Sequence, residues 1–242
     1  MANRRNKLNP LGEIVKKRIG IIGGISAAST AQYYKTITGM YFEQNHDYYY
    51  PEIIIYSLDF QYFTDLENER KTGEYIEYIL GAARSLEKAG ADFIAMAANS
   101  PHSVFEEVSG KAGVPMLSIV EATAKAASAR GIKKALLTGI KYTMQSDFYQ
   151  KGFQKRGIEI LVPDESHQNQ INDIIFNELV INHISGETRK KFLDIVNSYT
   201  VDGIILGCTE LPLLISQEHT KLKVLDTLEL HCAAILKEAI TR

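Results

Sequence analysis

One thiol in this chain sits where chemistry is feasible. Cys208 lies in "IILGCTELPLL", where an apolar strand pattern gives way to Gly207 and Thr209. A cysteine at a strand-to-helix junction meets backbone N–H groups and a helix N-terminus, and both favour the thiolate. The other cysteine, Cys232, sits in the apolar helical pattern "LELHCAAIL" and reads as a small buried hydrophobe. Earlier in the chain, "FIAMAANSPHS" has the shape of the Cys208 segment, an apolar run followed by small polar residues. There the matching position is Ala98.

Asn99, Ser100 and His102 follow that alanine. An amide, a hydroxyl and helix-start N–H groups together suit a carboxylate. A turn capping the next helix accounts for Asn99 and Ser100 equally well, but not for the likeness of the two strand ends. "LLTGIKYTMQSDFY" adds a third such end, with Thr138, Gly139 and Thr143 available for hydrogen bonds. "IGIIGGISAAST" is a glycine turn between a strand and a helix. It is not the GxGxxG of dinucleotide folds, and no acidic ribose partner follows at the required distance. Its amides with Ser26, Ser29 or Thr30 could receive a small anion, or Ser26 could simply cap the helix.

The elements that must position these residues alternate along the chain. Strand patterns read at "RIGIIGG", "EIIIYSLDF", "ADFIAMAANS", "VPMLSIV", "KKALLTGI", "IEILVP", "VDGIILGC" and "KLKVLDT". Helical patterns lie between most of them, including one continuous helix over "TMQSDFYQKGFQKRG" and a terminal one over "ELHCAAILKEAI". Near-continuous apolar strands separated by helices predict parallel sheets buried on both faces. The strands exceed one tidy sheet, so we expect two similar α/β halves, the second starting near Ser118. In open α/β sheets ligands bind beyond the carboxyl ends of strands, where every motif above lies.

Composition bounds the function. The 242 residues carry 27 basic and 29 acidic side chains, a net charge of −2, with no basic patch of the kind nucleic-acid binders show. Two cysteines make neither a disulfide framework nor a metal-ligand spacing, so no metal is expected and a cytoplasmic location is. No apolar run reaches the roughly 18 residues of a membrane span. Residues 1–17 are basic but lack the apolar stretch of a signal peptide, and read as an exposed extension. The tyrosine-rich "HDYYYPEI" reads as a surface or subunit-contact segment.

Taken together, "IGIIGGISAASTAQYY", "AANSPH", "GCTEL" and "VLDTLELH" make residues 18 to 240 resemble the aspartate/glutamate racemase family of cofactor-independent amino-acid racemases. The resemblance implies two pseudosymmetric, doubly wound α/β domains with the active site in the cleft between them. It assigns residues 18–117 plus 223–242 to the first domain and 118–222 to the second. It also implies a homodimer, a small amino acid or related carboxylate as ligand, and no cofactor, pyridoxal phosphate included. Such enzymes remove the proton α to a carboxylate from one face and return one to the other. Cys208 is then one acid/base, and Ala98 holds the place where the family has a Cys or Thr. Asn99, Ser100 and Thr209 would hold the α-carboxylate, with Ser26, Thr143 and Gln168 as further substrate contacts.

This chain departs from the pattern at three places. Ala98 cannot move a proton; Asn169 and Gln170 stand where acid-specific members carry a lysine; Thr64 falls about where some carry an arginine. Three readings fit: a racemase lacking its first acid/base, a single-cysteine decarboxylase or isomerase, or a non-catalytic binder of a small carboxylate.

Overall fold

The computed structural model describes residues 16–181 and 183–241. The expected N-terminal extension therefore lies outside the described residues, apart from Lys16 and Lys17. The chain forms two compact α/β units, each built on a four-stranded parallel sheet.

The first unit takes the described residues up to Ala97, Val104–Leu117 and those from Cys232 onward. Its elements are β1 (Ile19–Gly23), α1 (Ala27–Asn45), β2 (Ile53–Ser57), α2 (Phe60–Asn68), α3 (Thr72–Lys88), β3 (Phe93–Met96), α4 (Phe105–Ser109) and β4 (Met116–Leu117). The strand order is β2-β1-β3-β4. β1 and β3 are buried throughout, as continuous apolar strands require, whereas β2 is an edge strand with half-buried and exposed residues. Tyr33, Ile37 and Tyr41 recur every fourth residue along α1 and are buried, which makes one apolar face.

The second unit takes Ala98–Ser103 and Ser118–His231. It contains α5 (Ile119–Ala129), β5 (Lys134–Thr138), α6 (Lys141–Gln145), α7 (Phe148–Gln154), β6 (Glu159–Leu161), α8 (Glu165–Asn177), α9 (Gly186–Asn197), β7 (Gly203–Leu206), α10 (Leu211–Leu214), β8 (Lys223–Asp226) and the start of α11 (Thr227–Ile240). The order β6-β5-β7-β8 repeats that of the first unit. Alternate strand residues face opposite ways. Leu136, Ile204 and Leu206 pack with Ile171, Ile174 and Phe192 of α8 and α9. Ala135, Leu137 and Ile205 pack on the other face with Ala124, Phe148 and Tyr149 of α5 and α7.

Three sequence expectations need correction. Residues 223–226 were expected in the first domain, but β8 pairs with β7 from Gly203↔Lys223 to Leu206↔Asp226, so it belongs to the second sheet. Within residues 223–242, only Cys232 onward groups with the first unit, where the Cys232 thiol reaches the Tyr33 carbonyl and Lys17 N–H donates to the Ala239 carbonyl. The helix expected over "TMQSDFYQKGFQKRG" is broken between α6 and α7. Ser146 turns extended there and its hydroxyl donates to the Tyr142 carbonyl at 2.6 Å, the side-chain competition that makes serine a poor helix interior. Finally, α2 and α10 occupy segments to which no helix was assigned. No described helix is long and apolar enough to cross a membrane.

Candidate active site

The twin strand ends are equivalent down to their hydrogen bonds. Met96 ends β3 in register with Ile22, and Leu206 ends β7 in register with Thr138. The next N–H on each strand donates to the neighbouring strand: Ala97 to the Ile22 carbonyl and Gly207 to the Thr138 carbonyl, both at 2.8 Å. Ala98 and Cys208 are thus the same position of the repeated sheet, each the second residue beyond the third strand of its unit.

Ala98 nevertheless groups with the second unit, and the contacts of residues 98–103 explain this. The Asn99 side-chain NH2 donates to Thr227 Oγ1 at 3.2 Å, and the Tyr149 hydroxyl donates to Asn99 Oδ1 at 2.6 Å. His102 Nε2 accepts the Ile119 N–H at 3.1 Å, which leaves Nδ1 to donate to the Ala98 carbonyl at 3.0 Å. The Ser103 and Tyr142 hydroxyls lie 2.9 Å apart. Burial, with a lesser contribution from His231, pushes the His102 pKa down to about 3. Both its nitrogens are engaged and its ring stays neutral, so His102 holds the turn together rather than carrying protons.

Cys208 is half-buried and its Sγ donates to Glu210 Oε2 at 2.9 Å. Thr209 donates its hydroxyl to the same oxygen at 2.8 Å. Backbone N–H groups of Thr209 and Glu210 do point at the sulfur, as the strand-end position implies. They are outweighed. Desolvation first, then the Glu210 carboxylate, push the thiol pKa well above its ordinary value. The expectation that this position favours thiolate is therefore corrected: Cys208 is held as a thiol. Sequence reasoning missed Glu210, although it stands only two residues from Cys208.

The turn beside Cys208 is tight because two backbones meet. A Cβ on Gly139 would lie 2.9 Å from the Gly207 carbonyl oxygen, and one on Gly207 2.7 Å from that of Thr138, so only glycine fits either position. Thr143 adjoins this crossing, its methyl 3.5 Å from where a Gly207 Cβ would stand. Its hydroxyl is buried and has no hydrogen-bond partner among the described residues. A buried hydroxyl left unmet costs free energy unless something else meets it.

Other expected contacts lie elsewhere or are occupied. Ser26, in the first unit, caps α1 by accepting the Ser29 N–H, and the Thr30 hydroxyl donates to its carbonyl. Gln168 donates to the Pro163 carbonyl at 2.7 Å and accepts from Gln145. Ser100 is buried at the start of a short 3-10 turn.

Known proteins match this architecture over most of its length. A family model described as Asp/Glu/Hydantoin racemase matches residues 22–235. The broad specificity amino-acid racemase RacX of Bacillus subtilis is 30% identical over 214 residues, 86% of this chain and 92% of that protein. An aspartate racemase homologue from Pyrococcus horikoshii superposes with a TM-score of 0.83 at 40% identity, covering 92% of this chain and 99% of that one. An aspartate racemase from Picrophilus torridus gives 0.75 at 26% identity, covering 93% and 95%. The chain belongs to the Asp/Glu/Hydantoin racemase family.

Proposed function

We propose that this protein moves the α-proton of a small amino acid without a cofactor, with Cys208 as its acid/base. The hydrogen bond from Cys208 Sγ to Glu210 Oε2 carries the reading, since it gives the thiol a carboxylate to exchange its proton with. Transfer of that proton to Glu210 leaves a thiolate, which takes the α-proton and becomes a thiol again. The remaining Asn99 N–H, Ser100 and the unpartnered Thr143 hydroxyl would hold the α-carboxylate. Ala98, at the equivalent strand end, offers no second group, so the proton returns to the face it left.

The expected result is solvent-deuterium exchange at the α-carbon of one enantiomer with slow or absent racemisation. A panel of D- and L-amino acids in D2O, followed by NMR and chiral chromatography, measures both. Cys208→Ala should abolish exchange, and Ala98→Cys should raise racemisation by at least the ~10²-fold typical of a positioned acid or base. Fast racemisation that survives Cys208→Ala would place the chemistry elsewhere.

A second reading draws on the same thiol. A protonated Cys208 with a methyl at the matching position suits delivery of one proton to a planar carbon left by loss of CO2 from a malonate-type acid. Release of CO2 from such an acid would select it. Neutral donors stabilise a carboxylate less than a cation does, so aspartate and glutamate should bind modestly. Tyr48, Tyr49 and the edge-strand residues Ile55 and Tyr56 are exposed, and we assign this surface of the first unit to a homodimer contact that sedimentation would test.

A further inference from the structure

We propose that Tyr149 is a positioning residue that fixes which way the Asn99 side-chain amide points. This rests on the reading of Asn99 as an α-carboxylate donor. The hydroxyl of Tyr149 begins a run of hydrogen bonds that all point one way within the second unit. Tyr149 donates to Asn99 Oδ1 at 2.6 Å, the Asn99 NH2 to Thr227 Oγ1 at 3.2 Å, and the Thr227 hydroxyl to the Leu206 carbonyl at 2.8 Å. Leu206 is two residues before Cys208, so the run ties the Asn99 turn to the strand carrying the thiol.

The direction of the run decides the chemistry at Asn99. A side-chain amide has an acceptor end and a donor end of nearly the same shape, and only its partners select one orientation. Tyr149 is fully buried in the apolar cluster on α7 and remains a protonated donor, because burial raises its pKa. It therefore claims the oxygen of Asn99 and leaves one N–H free for an anion. The Thr227 hydroxyl, committed to Leu206, can accept from Asn99 but not donate to it. Without the tyrosine hydroxyl, only the longer 3.2 Å bond to Thr227 opposes turning the amide over, an orientation that would present its oxygen to a carboxylate and repel it.

Tyr149→Phe tests this, since it keeps the ring and its packing. In the ligand-free protein, solvent exchange of the Asn99 side-chain amide protons, followed by 15N NMR, should accelerate at least about tenfold. L-alanine is the second probe, because it presents an α-carboxylate with almost no side chain. Its KM for α-deuterium exchange should rise about tenfold, the effect of one lost buried hydrogen bond, while kcat changes less than about threefold. Thr227→Val should move both readings in the same direction. Unchanged Asn99 exchange in Tyr149→Phe, or an unchanged KM, would overturn the proposal. A parent protein that neither binds nor exchanges any amino acid, with Asn99 released in Tyr149→Phe, would sink the carboxylate reading alone and uphold the orientation by Tyr149.

Discussion

Replacing Glu210 with glutamine tests what holds Cys208 as a thiol. The substitution keeps the size and the acceptor oxygen but removes a negative charge 2.9 Å from the sulfur. At that separation a unit charge opposes thiolate formation by about 1.4 kcal/mol in a water-like medium and about 6 kcal/mol at an effective dielectric near 20. Removing that charge therefore lowers the thiol pKa. Burial, the larger cause of the raised pKa, is untouched, so the thiol of Glu210→Gln stays above its ordinary value. A lower thiol pKa raises the thiolate fraction about tenfold per unit but lowers intrinsic nucleophilicity only about threefold per unit, so the gain in thiolate wins. Iodoacetamide should therefore label Cys208 about 3- to 10-fold faster at about pH 7.5, read peptide by peptide to separate it from buried Cys232. Equal or slower labelling in a variant of unchanged circular dichroism would refute the electrostatic account.

The same geometry sets three further outcomes. His102 is neutral when folded but titrates near 6.5 when unfolded, so its contribution is complete above that pH and is lost as pH falls from 6.5 toward about 3. Urea denaturation should lose about 2 kcal/mol between pH 7 and pH 5 on this account, and His102→Gln, which can still donate to Ala98 and accept from Ile119, should flatten the loss. Thr143→Val removes an unpartnered buried hydroxyl and should hold or raise stability, by up to about 1 kcal/mol, while weakening L-alanine binding in calorimetry. Gly207→Ala drives a methyl within 2.7 Å of the Thr138 carbonyl oxygen and should destabilise by about 1–3 kcal/mol in the same urea assay.

Periodicity made the repeated α/β plan legible, because buried parallel strands are continuous apolar runs and the helices between them are capped. Ser118 and Ser185, for example, accept the N–H three residues on, and each opens a helix. Pairing was less accessible. Nothing local in "KLKVLDT" says which sheet it joins, since that depends on register with Gly203–Leu206 across the fold. α2 shows why short helices escape: Asp59 caps it, yet only Phe63 and Leu66 are buried over its nine residues. At the site, the strand-end position of Cys208 was readable but its protonation was not. The amides that favour thiolate are a property of sequence-local backbone, whereas burial is a property of the packed unit. Tyr149 was equally hidden, since Asn99 lies 50 residues from it along the chain and Thr227 lies 128 residues from Asn99.

The repeat sharpens the meaning of Ala98. Both sheets end their corresponding strands in the same register, with the same N–H returned to the neighbouring strand, so the backbone offers two equivalent mounts for a proton-moving group. The residues beyond the two mounts differ. After Cys208 come Thr209 and Glu210, and the thiol and the Thr209 hydroxyl both donate to one Glu210 oxygen. After Ala98 comes Asn99, whose amide is fixed by Tyr149 and Thr227, and then His102, whose ring is closed on Ala98 and Ile119. On the proposed function, the Ala98 mount keeps the amide that would hold an anion and lacks the atom that would move a proton. Placing a thiol at Ala98 would therefore supply the missing group without rebuilding the backbone around it. That is why Ala98→Cys is expected to convert exchange into racemisation, while the same thiol at a position lacking this register would not.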